Sequence, residues 1–144
     1  MQNFPHHYVV TADGGATGRV IVASPNIPDL TTDAPAEFDG PGDVWSPETM
    51  LVGAVANCFI LTFRAVARAS KFEWTSLTCQ VQGVLDRVER VTQFTAMELQ
   101  VKLRVPTGAD VERAHRLLEK SEQNCLITSS LKATVELRAE VEAG

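Results

Sequence analysis

The sequence predicts an α+β fold. Three observations carry that expectation: apolar and polar residues alternate over residues 75–86, 97–105 and 133–141, a long uncharged stretch opens on Ser46-Pro47, and the elements never settle into a β-α-β-α repeat. At 144 residues the chain is long enough to bury a core without disulfide or metal staples, and it reads as a single domain over residues 1–144.

Residues 8–12 and 19–23 are short β-like runs. Between them lies Asp13-Gly14-Gly15-Ala16-Thr17-Gly18, a glycine-rich connection suited to a hairpin. Pro25, Pro28, Pro35 and Pro41, with Gly40 and Gly42, then forbid a long helix and leave a wrapping loop with at most short edge strands. Ser46-Pro47 is a helix start, because serine caps free N–H groups and proline in the first helical position gives up no needed donor. The helix should run from Pro47 to about Ser70. Residues 50–61 are apolar nearly all round and should be enclosed by protein, whereas Arg64, Arg68 and Lys71 place cations where the helix dipole favours them. The uncharged stretch of residues 49–63 is shorter than the roughly 20 apolar residues a membrane span requires, so a core helix is expected and no membrane.

In the next run, Leu77, Cys79, Val81, Gly83 and Leu85 alternate with mostly polar residues. Residues 97–105 do so more cleanly, with Glu98, Gln100, Lys102 and Arg104 facing out. These are two long strands of a sheet buried on one face, joined as a hairpin by residues 87–91. Pro106-Thr107-Gly108 punctuates the change to a second helix, where Val111, Ala114, His115 and Leu118 share a stripe and Glu112 and Arg116 stand at i,i+4; it ends near Cys125. Ala133, Val135, Leu137, Ala139 and Val141 alternate with polar residues and form a closing strand.

Bulk properties exclude several classes of function. The net charge is −5 and no Lys/Arg cluster interrupts it, which argues against nucleic acid. Three dispersed cysteines fit a reducing compartment, so the expected localisation is cytoplasmic, and the first residues hold no apolar run of a secretory signal. His6, His7 and His115 are not spaced as ligands with any cysteine, so no metal is expected. The glycines between Gly14 and Gly18 precede a strand rather than a helix, which removes the physical basis for a phosphate cradle, and no cofactor is implied.

Cys58 and Cys125 stand 67 residues apart in unlike surroundings. On residue chemistry alone, Cys58 in an uncharged helix is a buried, inert thiol, Cys125 is a residue at a helix end, and Cys79 on the apolar side of a strand is core. Phe38 and Trp45 flank the helix start and are candidate walls of an apolar substrate pocket, or aromatic core packing.

Ser46-Pro47-Glu48 opening a helix, Cys58 ten residues after Glu48 in Ala54-Val55-Ala56-Asn57-Cys58-Phe59, and Cys125-Leu126-Ile127-Thr128-Ser129-Ser130-Leu131-Lys132 together resemble the OsmC/Ohr family of thiol-dependent hydroperoxide reductases and their relatives. The element order matches over nearly the whole chain. The resemblance implies an OsmC-like fold, with antiparallel sheets wrapped around long central helices in an intertwined homodimer and reactive sites at the subunit interface. It implies that Cys58 attacks an organic hydroperoxide and becomes a sulfenic acid, that Cys125 condenses with it to a disulfide, and that an external dithiol restores the pair. Glu48 matches the family acid that holds an arginine over the thiolate. Ten residues at about 1.5 Å rise put Glu48 and Cys58 roughly 15 Å apart on one helix, so a site using both draws Glu48 from a second subunit. The family arginine follows a Gly-Gly pair. Here Gly14-Gly15 is followed by Ala16, and Arg19 is the nearest possible cation. A chain without that arginine also fits a second reading, a homodimer of the same fold that binds a small ligand or senses redox state without efficient turnover.

Overall fold

The computed structural model describes residues 1–144. The chain falls into two compact units, Met1–Leu51 and Val52–Gly144, with the boundary inside one helix.

In the first unit, strands β1 (Thr11–Asp13), β2 (Val20–Ala23) and β3 (Leu30–Thr32) form an antiparallel sheet in the order β1-β2-β3. The glycine-rich connection makes the expected hairpin, and the proline-rich loop contributes only the three-residue β3 and a 3-10 turn, Ala36–Phe38. Gly40 is required there, because a Cβ would lie 1.8 Å from the Ala34 carbonyl oxygen. The long helix α1 (Pro47–Ala69) starts as Ser46-Pro47 predicts. Thr49 N–H donates to Ser46 Oγ at 3.1 Å, and Ser46 N–H donates back to Thr49 Oγ1 at 2.9 Å. That reciprocal pair is a capping box in which threonine replaces the usual Glu or Gln.

In the second unit, strands β4 (Ser76–Val88), β5 (Val91–Val105) and β6 (Thr134–Ala143) form a sheet in the order β4-β5-β6. The β4–β5 hairpin is tighter than expected, turning on Glu89 and Arg90 alone at φ 49° and 69°. Two successive positive φ values match the twist of the flanking strands, and the hairpin tolerates them without glycine. The expectation of antiparallel sheets is corrected here: β6 pairs with β5 in parallel, from Ala96↔Thr134 to Val105↔Ala143. The intervening helix α2 (Val111–Gln123) returns the chain to the start of β5, so the next strand must run in the same direction. Asp110 caps α2 by accepting from Arg113 N–H at 3.0 Å. A further helix of four residues, α3 (Leu126–Ser129), follows it.

The core lies on one face of this sheet. Met97, Leu99, Val101, Leu103 and Val105 alternate inward along β5 and join Val55, Phe59, Phe63 and Ala67 of α1 and Ala114, Leu117 and Leu118 of α2. The four buried α1 residues recur every fourth position and form one stripe. Gly83 marks a close approach of helix and strand, since a Cβ there would sit 2.6 Å from Val52 Cγ2 on α1 and 3.0 Å from Phe94 Cε1 on β5. The rest of α1 departs from the expected enclosure. By length and composition the helix could cross a membrane, yet most of its apolar surface is left uncovered by the rest of the chain. One sheet face covers one side of the helix, and Leu61 remains 51% exposed.

A candidate thiol site

Cys58 lies midway along α1, half-buried, with its thiol directed toward the α2–α3 junction. One helical turn on, Thr62 places Oγ1 3.7 Å from Cys58 Sγ, the neighbour relation of positions i and i+4. Cys125 occupies the N-cap position of α3 and is only 1% exposed. Its carbonyl accepts Ser129 N–H at 3.0 Å, Ser129 Oγ at 2.9 Å and Thr128 Oγ1 at 3.1 Å, which anchors the short helix to this residue.

An N-cap side chain ordinarily satisfies the first free amides of its helix, but Cys125 makes no such bond. The backbone amides of Ile127 and Leu126 instead act on Cys58. Burial pushes the Cys58 thiol up. The Ile127 amide, the Cys125 side chain, the Thr62 hydroxyl and the Leu126 amide together outweigh it and hold the thiol below its ordinary value. Cys125 moves the other way: burial and the neighbouring Cys58 raise it, against the opposing pull of the Thr128 amide and hydroxyl. All three cysteines are free thiols. Cys58 and Cys125 are thus near enough to shift one another, Cys58 downward and Cys125 upward. Cys79, on β4, is pushed up to about 11 by burial and by the charge of Cys125.

The remaining candidates lie in the first unit. Glu48, in the first turn of α1, and Phe38 line a largely apolar cleft of about 450 Å³ with Val20, Val22, Pro35 and Met50. Glu48 Oε1 is buried there without a hydrogen-bond partner. Trp45 is 51% exposed and is held by its backbone, bridging to Thr32 and accepting Asp33 N–H at 3.0 Å. Arg19 is committed elsewhere. Its guanidinium donates to both carboxylate oxygens of Asp43, at 2.8 and 2.9 Å, with Asp33 at 3.7 Å. The hydrogen bonds to Asp43 raise Arg19 above its ordinary value and draw the Asp43 carboxyl below the usual carboxylate range.

Sequence reasoning did not find Thr62 or the Leu126 and Ile127 amides. Thr62 had a signal, one turn beyond Cys58 on a predicted helix; the amides had none, because a four-residue helix leaves no periodic trace.

The chain is an α+β protein with two neighbouring thiols as its candidate site. Residues 40–140 match the family of OsmC-like proteins. An uncharacterized protein YmaD of Bacillus subtilis is 30% identical over 141 residues, 94% of this chain and 93% of that protein. An organic hydroperoxide resistance protein of Xanthomonas axonopodis is 26% identical over 128 residues, 88% and 87% of the two chains. Among solved structures, an OsmC-like protein of unknown function from Vibrio cholerae superposes with a TM-score of 0.86 at 14% identity, over 94% of this chain and 100% of that one. An organic hydroperoxide resistance protein from Elizabethkingia anophelis gives 0.78 at 20% identity, over 99% and 100%. The chain belongs to the family of OsmC-like proteins.

Proposed function

We propose that the chain is a homodimeric, cytoplasmic thiol peroxidase that reduces organic hydroperoxides. The observation that carries this reading is the division of the thiol pair, with Cys58 held toward the thiolate and Cys125 toward the thiol. The thiolate is the nucleophile, and an interacting second cysteine is what turns one oxidation into a cycle.

In that cycle the Cys58 thiolate attacks the terminal peroxide oxygen. The S–O bond forms as the O–O bond breaks, and the departing alkoxide takes a proton and leaves as an alcohol. Cys58, oxidised by two electrons, is then a sulfenic acid. The Cys125 thiol condenses with it, the S–S bond forms and one water leaves. An external dithiol reduces the disulfide by exchange and carries the two electrons away as its own disulfide. The apolar cleft lined by Phe38, Val20, Val22 and Met50 favours substrates with hydrocarbon bodies over hydrogen peroxide. Glu48 is assigned as the orienting acid, delivered to Cys58 from a second subunit because of the helical distance between them. A second copy also accounts for the apolar surface that α1 leaves uncovered, Leu61 included.

One observation favours a second reading, an OsmC-like homodimer that binds a small ligand or senses redox state without efficient turnover. Ala16 stands where the hydroperoxide reductases carry arginine, and Arg19 is engaged by Asp43. The deciding experiment is steady-state reduction of tert-butyl hydroperoxide with a dithiol donor by the wild type, Cys58→Ser and Cys125→Ser. The peroxidase reading expects turnover that Cys58→Ser abolishes and Cys125→Ser slows. Wild-type turnover no higher than that of Cys58→Ser sinks it and leaves the second reading.

A further inference from the structure

We infer that Thr62 is a hydrogen-bond donor to the Cys58 thiolate, one of a set of neutral donors that does for this chain what a cation does elsewhere. The inference rests on the reading of Cys58 as a nucleophile and identifies what keeps it reactive. Four groups act on the sulfur: the Thr62 hydroxyl from α1, the Ile127 and Leu126 amides from α3, and the Cys125 thiol at the head of α3. None of the four carries a positive charge, and the only titratable one is Cys125. Cys79 on β4 responds to Cys125. Arg19 spends its guanidinium on Asp43 and Asp33.

The geometry suits the role. Thr62 Oγ1 stands 3.7 Å from Cys58 Sγ, within the reach of an O–H···S bond to a large, diffuse anion. The hydroxyl rotor is free to point its hydrogen at sulfur, because Oγ1 has no other partner in the fold. A helical threonine commonly donates to the carbonyl one turn back; Thr62 is placed against the side chain at that position instead. Hydrogen bonds between fixed dipoles and a charge strengthen as water is excluded, so a neutral set can outweigh the burial cost of a half-buried thiolate. Of the four donors, two are backbone and one is the proposed resolving cysteine. Thr62 alone can be removed by substitution with both thiols left in place.

The test is the pH dependence of Cys58 alkylation by iodoacetamide, followed by mass spectrometry of the Cys58 peptide, in the wild type, Thr62→Val and Thr62→Ser. Valine keeps the shape and removes the donor; serine keeps the donor. Losing one such bond should move the midpoint upward and slow alkylation at pH 7 about three- to tenfold in Thr62→Val. Thr62→Ser should return to the wild-type curve. A second readout is salt. A thiolate held by a cation loosens as ionic strength rises, whereas one held by neutral donors keeps its midpoint between 0.05 and 0.5 M salt, as order-of-magnitude limits. An unchanged midpoint in Thr62→Val overturns the inference, and so does an equal shift in both variants or a wild-type midpoint that climbs with salt. Because alkylation needs no peroxide, a wild type that fails to turn over peroxide while Thr62→Val still shifts the curve defeats the peroxidase reading and leaves the donor in place.

Discussion

Cys58 and Cys125 move each other's acidity in opposite directions. The Cys125 side chain helps lower the Cys58 thiol, and Cys58 helps raise Cys125. Two identical, interacting groups share a proton unequally once their surroundings differ, and here two α3 amides, Ile127 and Leu126, act on Cys58, whereas burial dominates at Cys125 over the Thr128 amide. The same asymmetry sets the order of reaction.

Iodoacetamide at neutral pH should therefore label Cys58 first, at least about tenfold faster than Cys125 or Cys79. Burial alone protects Cys125, so the sharper readout is the Cys58 midpoint in Cys125→Ala. That variant removes one of the sulfur's donors and should shift the Cys58 labelling curve to higher pH. A curve that stays in place, or moves down, would show that the two thiols do not interact in solution.

Cys79 makes stability depend on alkaline pH. Its folded value of about 11 lies above the roughly 8.5 of an unfolded thiol, so between these limits the folded state holds a proton that the unfolded state has lost. Stability from this group is complete below about pH 8.5 and is lost as pH rises toward 11, a loss that the partial exposure of Cys79 reduces through solvent screening. Cys79→Val keeps an apolar side chain at that position on β4 and removes the titration. Urea unfolding at pH 8 and pH 10.5 should show a smaller loss of stability in Cys79→Val than in the wild type. Equal losses would mean that Cys79 ionises in the fold as readily as in the open chain.

The parts of the fold that could be read from residues are those with one buried face. The alternation from Met97 to Val105 survives in the structure as inward Met97, Leu99, Val101, Leu103 and Val105, because a half-buried strand writes burial directly into every second position. Direction leaves no such record. A strand alternates identically whether its neighbour is parallel or antiparallel, so the β5–β6 pairing was invisible. The tight turn at Glu89-Arg90 was hidden for another reason, since neither residue is the glycine or asparagine that ordinarily marks positive φ. At the candidate site, the two cysteines could be named from their spacing and resemblance, whereas Thr62 was marked only by its place one turn beyond Cys58. Its part depends on where the Cys58 sulfur points, and a residue pattern records burial far better than it records the direction of a single side chain.

Helix geometry supplies the last prediction. About 15 Å of α1 separates Glu48 from Cys58, and a carboxylate cannot act on a sulfur at that range along its own helix. If Glu48 serves catalysis, it serves the Cys58 of another copy. The wild type should accordingly sediment at twice the 15.7 kDa chain mass. Cys58→Ser alone should be inactive toward tert-butyl hydroperoxide, and Glu48→Gln alone should be at least about tenfold slowed. Unfolding the two variants together and refolding them as mixed dimers places one intact Cys58 opposite one intact Glu48. Turnover should then rise above the sum of the separate variants, toward about half the wild-type rate per mixed dimer, because one of its two sites is complete. Additive activity in the mixture, with mixed dimers verified by mass, would mean that Glu48 acts within its own chain through the fold or takes no part in the chemistry.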